Sequence, residues 1–265
     1  MWTDTHLHLD ADQYSNDRNE VLARARSNHV NAFVLPAVHP RNFGTVQNLA
    51  RQTPGAVYCL GIHPVFVHAC TDSDLQVLKT AVAQALADPL FAGIGEIGLD
   101  AFVPNPDLPR QTTFFYAQLE LAAEFNLPVV MHIRKAQDHI LKGLRRYRPC
   151  SGIAHAFNGS LQQADQFLKL NMCLGFGGAS TFSRAHQIRR LAALLPAQAL
   201  VLETDGPDIA PEWINHQRNE PCHLHRIAEN LASLRGIGLS ELSAITQANA
   251  HRVLPALVNR HHSLG

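Results

Sequence analysis

The chain has 265 residues, 46% of them hydrophobic, and its 22 Lys and Arg balance its 22 Asp and Glu. That is enough apolar material for one full core, and the expectation is a single domain over residues 1–265. Zero net charge leaves no extended basic footprint for gripping long nucleic acid, and no window is long and apolar enough for a bilayer, which argues against a membrane protein.

The run "WTDTHLH" (2–8) alternates and predicts a strand. Side chains two apart on a strand share a face, so Asp4, His6, His8 and Asp10 are expected in one row. Further strand patterns occupy 31–38, 57–63, 91–98, 128–133, 151–156, 172–177 and 199–205. Helix patterns lie between them. One is 73–87, with Leu75, Leu78, Val82 and Leu86 at helical spacing and Thr71 or Asp72 as its cap; another is 110–125, with Phe114, Leu121 and Phe125 facing the core. Two more, 221–235 and 240–258, follow the last strand. Apolar strands alternating with helices fit a (β/α)8 TIM barrel with extra C-terminal helices. The rival is a doubly wound open sheet, but no glycine-rich phosphate loop follows the first strand.

Five cysteines, at 59, 70, 150, 173 and 222, are widely spread with no CxxC pair, so they read as free thiols of a reducing compartment. The first residues lack the basic-then-apolar pattern of a secretory leader, and a cytoplasmic protein is expected. The 16 histidines are many for this length.

Barrel strands are buried on both faces and should be apolar throughout. Here ligand-type side chains interrupt their C-terminal ends: His6 and His8, His63 in "GIHP", Glu96 in "GEIGLD", His132 in "MHIRK", His155 in "IAHAFN", and Glu203 and Asp205 in "ETDGP". In a barrel these ends meet at the mouth where active sites lie. Singly, a strand histidine is an ordinary hydrogen-bonded core residue, whereas a buried carboxylate without a partner is costly. Together they have a common explanation in divalent cations, which turn the cost of burying such groups side by side into coordination energy. Even four of these imidazoles with two of the carboxylates exceed a tetrahedral catalytic site of about three protein ligands. They suit two ions about 3.5–4 Å apart sharing a carboxylate, with Glu96, midway round the ring, as the bridge. Imidazole ligands put Zn, Mn, Fe and Ni ahead of Mg.

In chain order, "DTHLHLD" (4–10), "GIHP" (61–64), "GEIGLD" (95–100), "MHIRKA" (131–136), "IAHAFNGS" (153–160), "ETDGPDIAP" (203–211), "RNEP" (218–221) and "NA" (249–250) resemble motifs of the TatD family of metal-dependent hydrolases. That family is a branch of the amidohydrolase-like barrels that includes deoxyribonucleases, and the resemblance runs from residue 3 to about 254. It implies His6 and His8 as ligands of a first ion, Glu96 as the bridge, and His132 and His155 as ligands of a second ion. Asp205 is implied as a first-ion ligand that also orients or deprotonates the attacking water, with His63 beside the substrate or leaving group. The similar phosphotriesterase and dihydroorotase groups bridge their metals with a modified lysine, but no lysine falls in 90–100 here. Three departures bear on substrate choice. Val65 and Phe66 follow "GIHP" where the family often has another His. Ala101 and then Phe102 follow "GLD", where an aromatic is common. Gly206 and Asp208 stand where Ser or Thr and Tyr are frequent.

The activity this implies is hydrolysis of a phosphodiester, at a DNA end or in a small nucleotide, by a metal-activated water whose proton Asp205 takes. Arg134 lies two residues after His132 and is expected on the same inward face, clamping a phosphate with paired hydrogen bonds; its plain alternative is a surface salt bridge. Arg218 is a weaker candidate of the same kind, and Glu203 reads as orienting a ligand rather than binding an ion. Two other functions fit the same residues: hydrolysis of a C–N or C–O bond in a cyclic amide, lactone or ester, and a non-catalytic metal-binding module. Phe176, Phe182 and Trp213 are either base-stacking side chains or ordinary packing.

Overall fold

A computed structural model describes residues 1–214 and 217–258. Eight strands follow one another in chain order round a single sheet: β1 (Trp2–Asp4), β2 (Val30–Pro36), β3 (Ala56–Leu60), β4 (Phe91–Asp100), β5 (Val129–Arg134), β6 (Gly152–Ala154), β7 (Met172–Phe176) and β8 (Leu200–Leu202). All neighbours pair in parallel. The end of β8 returns to the start of the chain: Thr5 N donates to Leu202 O (3.0 Å), Asp205 N to His6 O (2.9 Å) and His8 N to Gly206 O (2.9 Å).

Between successive strands run α1 (Arg18–Ser27), α2 (Phe43–Gln52), α3 (Asp72–Ala85), α4 (Leu108–Glu124), α5 (Gln137–Tyr147), α6 (Leu161–Lys169) and α7 (His186–Leu194). After β8 come α8 (Leu224–Arg235) and α9 (Leu239–Val253). This is the expected (β/α)8 barrel, with α8 as its eighth helix and α9 as the addition. Thr71 caps α3 through a reciprocal pairing with Asp74, and Leu78 and Val82 are buried, whereas Leu86 lies past the helix and is exposed. No helix among the described residues is long and apolar enough to cross a membrane.

Two apolar clusters divide the core. The larger packs helices against the outer faces of the strands. The smaller joins alternate strand residues, among them Val57, Cys59, Val130, Ile153 and Val201, to Val253, Leu254 and Leu257 at the end of α9. It fills the barrel interior, and α9 plugs its floor. Strand alternation carries those inward rows upward: from Val130 to His132, from Ile153 to His155, and from Val201 to Glu203 and Asp205. Small apolar side chains at the bottom thus give way to ligand-type side chains at the mouth.

Six strands stop short of their predicted ends, β1, β6 and β8 among them. The ladder ends at Asp4, Ala154 and Leu202 because the backbone leaves it where side chains turn toward a common centre; Ala156 (φ 45°) and Asp205 (φ 56°) adopt left-handed conformations there. β4 instead continues to Asp100, two residues beyond expectation. The predicted row of four acidic and imidazole side chains is broken for the same reason. Asp4 is buried below the mouth, accepting from Thr204 N (2.9 Å) and Thr204 Oγ1 (2.5 Å), and Asp10 accepts from Asn42 Nδ2 (2.7 Å). Only His6 and His8 of that row face the centre.

Candidate metal centre

Glu96 is 1% exposed in the middle of the long β4. Its two carboxylate oxygens divide the surrounding imidazoles. Oε2 lies 3.1 Å from His6 Nε2 and 3.3 Å from His8 Nε2. Oε1 lies 3.3 Å from His63 Nε2, 3.2 Å from His132 Nδ1 and 3.3 Å from His155 Nε2. Asp205 Oδ1 stands on the first side, 3.6 Å from the Nε2 atoms of both His6 and His8. The rings of His6 and His155 stack at 3.9 Å between centroids, closing the circle from β6 back to β1.

All six side chains expected as ligands, His6, His8, Glu96, His132, His155 and Asp205, therefore meet at the mouth. Three overlapping trios bring one donor atom from each residue within 4.8 Å of the others: His6, His8 and Glu96; His6, His155 and Asp205; His63, Glu96 and His132.

The donor set fits divalent cations. A carboxylate offers about four acceptor sites, fewer than the five ring nitrogens that face Glu96. His63 accepts from Val65 N at Nδ1 (3.2 Å), so its hydrogen sits on Nε2 and points at Glu96. His132 is the opposite case. Its Nε2 is 3.0 Å from Asp100 Oδ2, which leaves the Nδ1 lone pair facing Glu96. Lone pairs opposed at such a distance repel unless a proton or a cation lies between them. The electrostatics obey the same logic. Against the opposing effect of burial, the imidazoles of His63 and His6 hold Glu96 well below the usual carboxylate range. Burial also disfavours charge on His8 and His155, yet Glu96 lifts the first to about 9, and Asp205 and Glu203 lift the second well above its ordinary value. Burial and the neighbouring His155 push His6 well below its ordinary value. Burial pushes Asp205 up to about 6, against the pull of His155 and His8. The acids hold protons on His8 and His155, and a dication is the natural replacement for those protons.

Supporting residues fix the ligand-type side chains. Glu203 lies 3.4 Å from His155 Nδ1 and accepts from Ala156 N (2.5 Å), the orienting place expected of it. Its carboxylate rests over Gly175, where a Cβ would collide with it. Asp100 has a supporting role that the sequence reading does not assign. Its Oδ1 accepts from Phe102 N (2.8 Å) and Val103 N (3.1 Å) while Oδ2 meets His132. The available sequence signal is its place four residues after Glu96 on one strand, which puts both on the same face. Gln111 and Gln118 of α4 also escape the sequence reading. Buried two turns apart, they clasp the backbone of Asp100 and Ile62, with Gln111 Oε1 accepting from Asp100 N (2.8 Å) and Gln118 Oε1 from Ile62 N (2.7 Å). Their signal is a pair of amides on the apolar stripe of an amphipathic helix.

Arg134 leaves the inward row. It ends β5, is exposed, and carries its guanidinium 4.1 Å from the Phe102 ring centroid, because Lys135 turns the chain in a left-handed conformation (φ 54°). Arg218 also faces elsewhere. It donates to Gln13 O (2.6 Å), to both oxygens of Asp17 (2.8 and 2.7 Å) and to Glu220 (2.5 Å), bracing the "RNEP" turn against α1. Phe176 is core packing, whereas Phe182 and Trp213 are half-buried near the mouth, the latter under the Arg226 guanidinium at 4.4 Å.

Comparison with known proteins gives one answer at every level. An Escherichia coli K12 protein, "Uncharacterized metal-dependent hydrolase YjjV", is 35% identical over 249 residues, covering 94% of this chain and 95% of its own. An Erwinia amylovora protein named "3'-5' ssDNA/RNA exonuclease TatD" is 34% identical, covering 93% and 97%. The crystal structure of E. coli YjjV, described as a TatD homologue, superposes with a TM-score of 0.92 at 34% identity over 96% of this chain and 98% of that one. The sequence profile described as "TatD related DNase" matches residues 3–255, and the chain belongs to that family.

Proposed function

We propose that this protein is a phosphodiesterase that removes nucleotides from single-stranded DNA or RNA ends, working with two divalent cations. The observation that carries the proposal is the Glu96 carboxylate, whose two oxygens face separate sets of imidazoles. In this reading His6, His8 and Asp205 hold one ion, His132 and His155 the other, and Glu96 joins them. Bound there, the ions supply Lewis acidity toward a phosphoryl oxygen and make water acidic enough to react at neutral pH. The choice falls among Zn, Mn, Fe and Ni, with Mg less suited to so many imidazoles.

The protein's own groups supply the rest. Asp205 Oδ1, held beside His6 and His8, orients the attacking water and takes its proton. His63 directs Nε2–H at Glu96, fixing the bridging carboxylate from the β3 side, next to where the leaving group departs. Arg134 adds positive charge at the mouth, where an anionic substrate arrives. Beside Asp208 and Ile209 a groove of about 720 Å³ runs out to Phe182 and Arg184, leaving room for a chain to enter. The five unpaired cysteines accord with a reducing, cytoplasmic setting.

The test is to load the protein with Mn or Zn and offer labelled single-stranded DNA beside a panel of lactones and cyclic amides. The expected result is stepwise shortening of the DNA, lost together with bound metal in Glu96→Ala. Turnover of the lactones or amides with DNA left intact would overturn the proposal.

A further inference from the structure

Phe102 stands at the mouth with 51% of its surface exposed. Two cations lie close to its ring: the Arg134 guanidinium carbon at 4.1 Å and the Lys135 ammonium at 4.7 Å from the centroid. Neither has a carboxylate partner among the described residues. A single exposed phenyl needs no explanation. A phenyl with two unneutralised positive charges over its ring does, because the charges repel each other and the ring alone offsets little of that.

The group is also built in place. Asp100 Oδ1 accepts from the backbone of Phe102 (2.8 Å) and Val103 (3.1 Å), and Asp100 Oδ2 meets His132. Asp100 and Arg134 are paired in the β4–β5 register. Lys135 is held in a left-handed conformation that a lysine adopts at a cost. One carboxylate thus fixes both a ligand-type imidazole and the loop that carries the ring.

We propose that Phe102, Arg134 and Lys135 form a subsite for the nucleotide adjoining the scissile phosphate of a single-stranded nucleic acid. A base stacks on the exposed part of the phenyl or on the outer face of the guanidinium, and the neighbouring phosphate sits against the two cations. Stacking on an aromatic beside an electropositive track is how unpaired strands are held without base reading. A duplex keeps its base faces covered, so the occupant is single-stranded. Cleavage of the bound strand rests on the phosphodiesterase reading, but binding itself is separable from it.

The experiment measures both. Anisotropy of a labelled oligo(dT), in chelator, gives Kd for the wild type, Phe102→Ala, Phe102→Trp and the Arg134→Gln/Lys135→Gln double variant. Phe102→Ala should weaken binding about tenfold and Phe102→Trp should retain it. The double variant should flatten the salt dependence of log Kd by roughly 0.7 per lost phosphate contact. With metal restored, Phe102→Ala should lower kcat/KM for the oligonucleotide relative to that for bis(p-nitrophenyl) phosphate by about tenfold. Equal Kd across the variants, equal loss on both substrates, or duplex bound as tightly as single strand would overturn the subsite. Wild-type protein that binds the oligonucleotide but cleaves neither substrate with any metal would instead remove the phosphodiesterase reading and leave the subsite standing.

Discussion

Asp100 Oδ2 lies 3.0 Å from His132 Nε2, on the side of the imidazole away from Glu96. The pair sets the tautomer of the ring and aims its other nitrogen at the centre. Despite burial, His132 draws the Asp100 carboxyl down to about 2, so it stays ionised in that role.

Asp100→Asn keeps the size of the side chain and removes the charge behind His132. Metal affinity should fall about 10–100-fold, read by competition with a chromophoric chelator, with the far-ultraviolet circular dichroism unchanged. Undiminished affinity would show that His132 is oriented by packing alone.

Gly175 has no room for a side chain, because the Glu203 carboxylate occupies the space a Cβ needs. Gly175→Ala should displace Glu203 from Ala156 N and from His155. Overpacking of this kind costs about 1–3 kcal/mol, visible as a lower Tm, and bound metal should fall with it. Normal metal content in a destabilised variant would separate Glu203 from the centre.

Asp205→Asn should lower kcat by roughly 10²–10⁴-fold if the carboxylate takes the water's proton, while the fold survives. Kinetics at saturating metal check this. A wild-type rate would exclude proton transfer through Asp205.

The Arg218 brace gives a stability prediction with a defined pH window. Its hydrogen bonds draw Asp17 down to about 2. A depressed carboxylate stabilises the fold above the unfolded value of about 3.9, and the contribution disappears as pH falls through the folded value. Arg218→Met should therefore lower Tm by a few degrees at neutral pH, and the gap to wild type should close between about pH 4 and 2. Because Asp17 and Arg218 both reach solvent, added salt should shrink the gap as well.

The inward rows were legible in the sequence because strand alternation is fixed at two residues. Polar side chains at the top of rows that start with Val130, Ile153 and Val201 had to meet. Strand ends were less legible. A ladder that dissolves where side chains converge depends on left-handed residues such as Ala156 and Asp205, which carry no composition signal. Arg134 shows the same limit: spacing from His132 put it inward, but the turn at Lys135 took it onto Phe102. The roles of Asp100 and Gln118 depend on which element packs across them, which no local pattern states. Arg218 looked like a phosphate ligand because its partners, Asp17 and Glu220, meet it only in the folded chain.

Anomalous diffraction from crystals grown with Mn(II) and phosphate tests the central claim most directly. The account predicts two peaks about 3.5–4 Å apart, one on each side of the Glu96 carboxylate, with the phosphate reaching both. No peak at Glu96, or one whose ligands exclude His132 and His155, would contradict it.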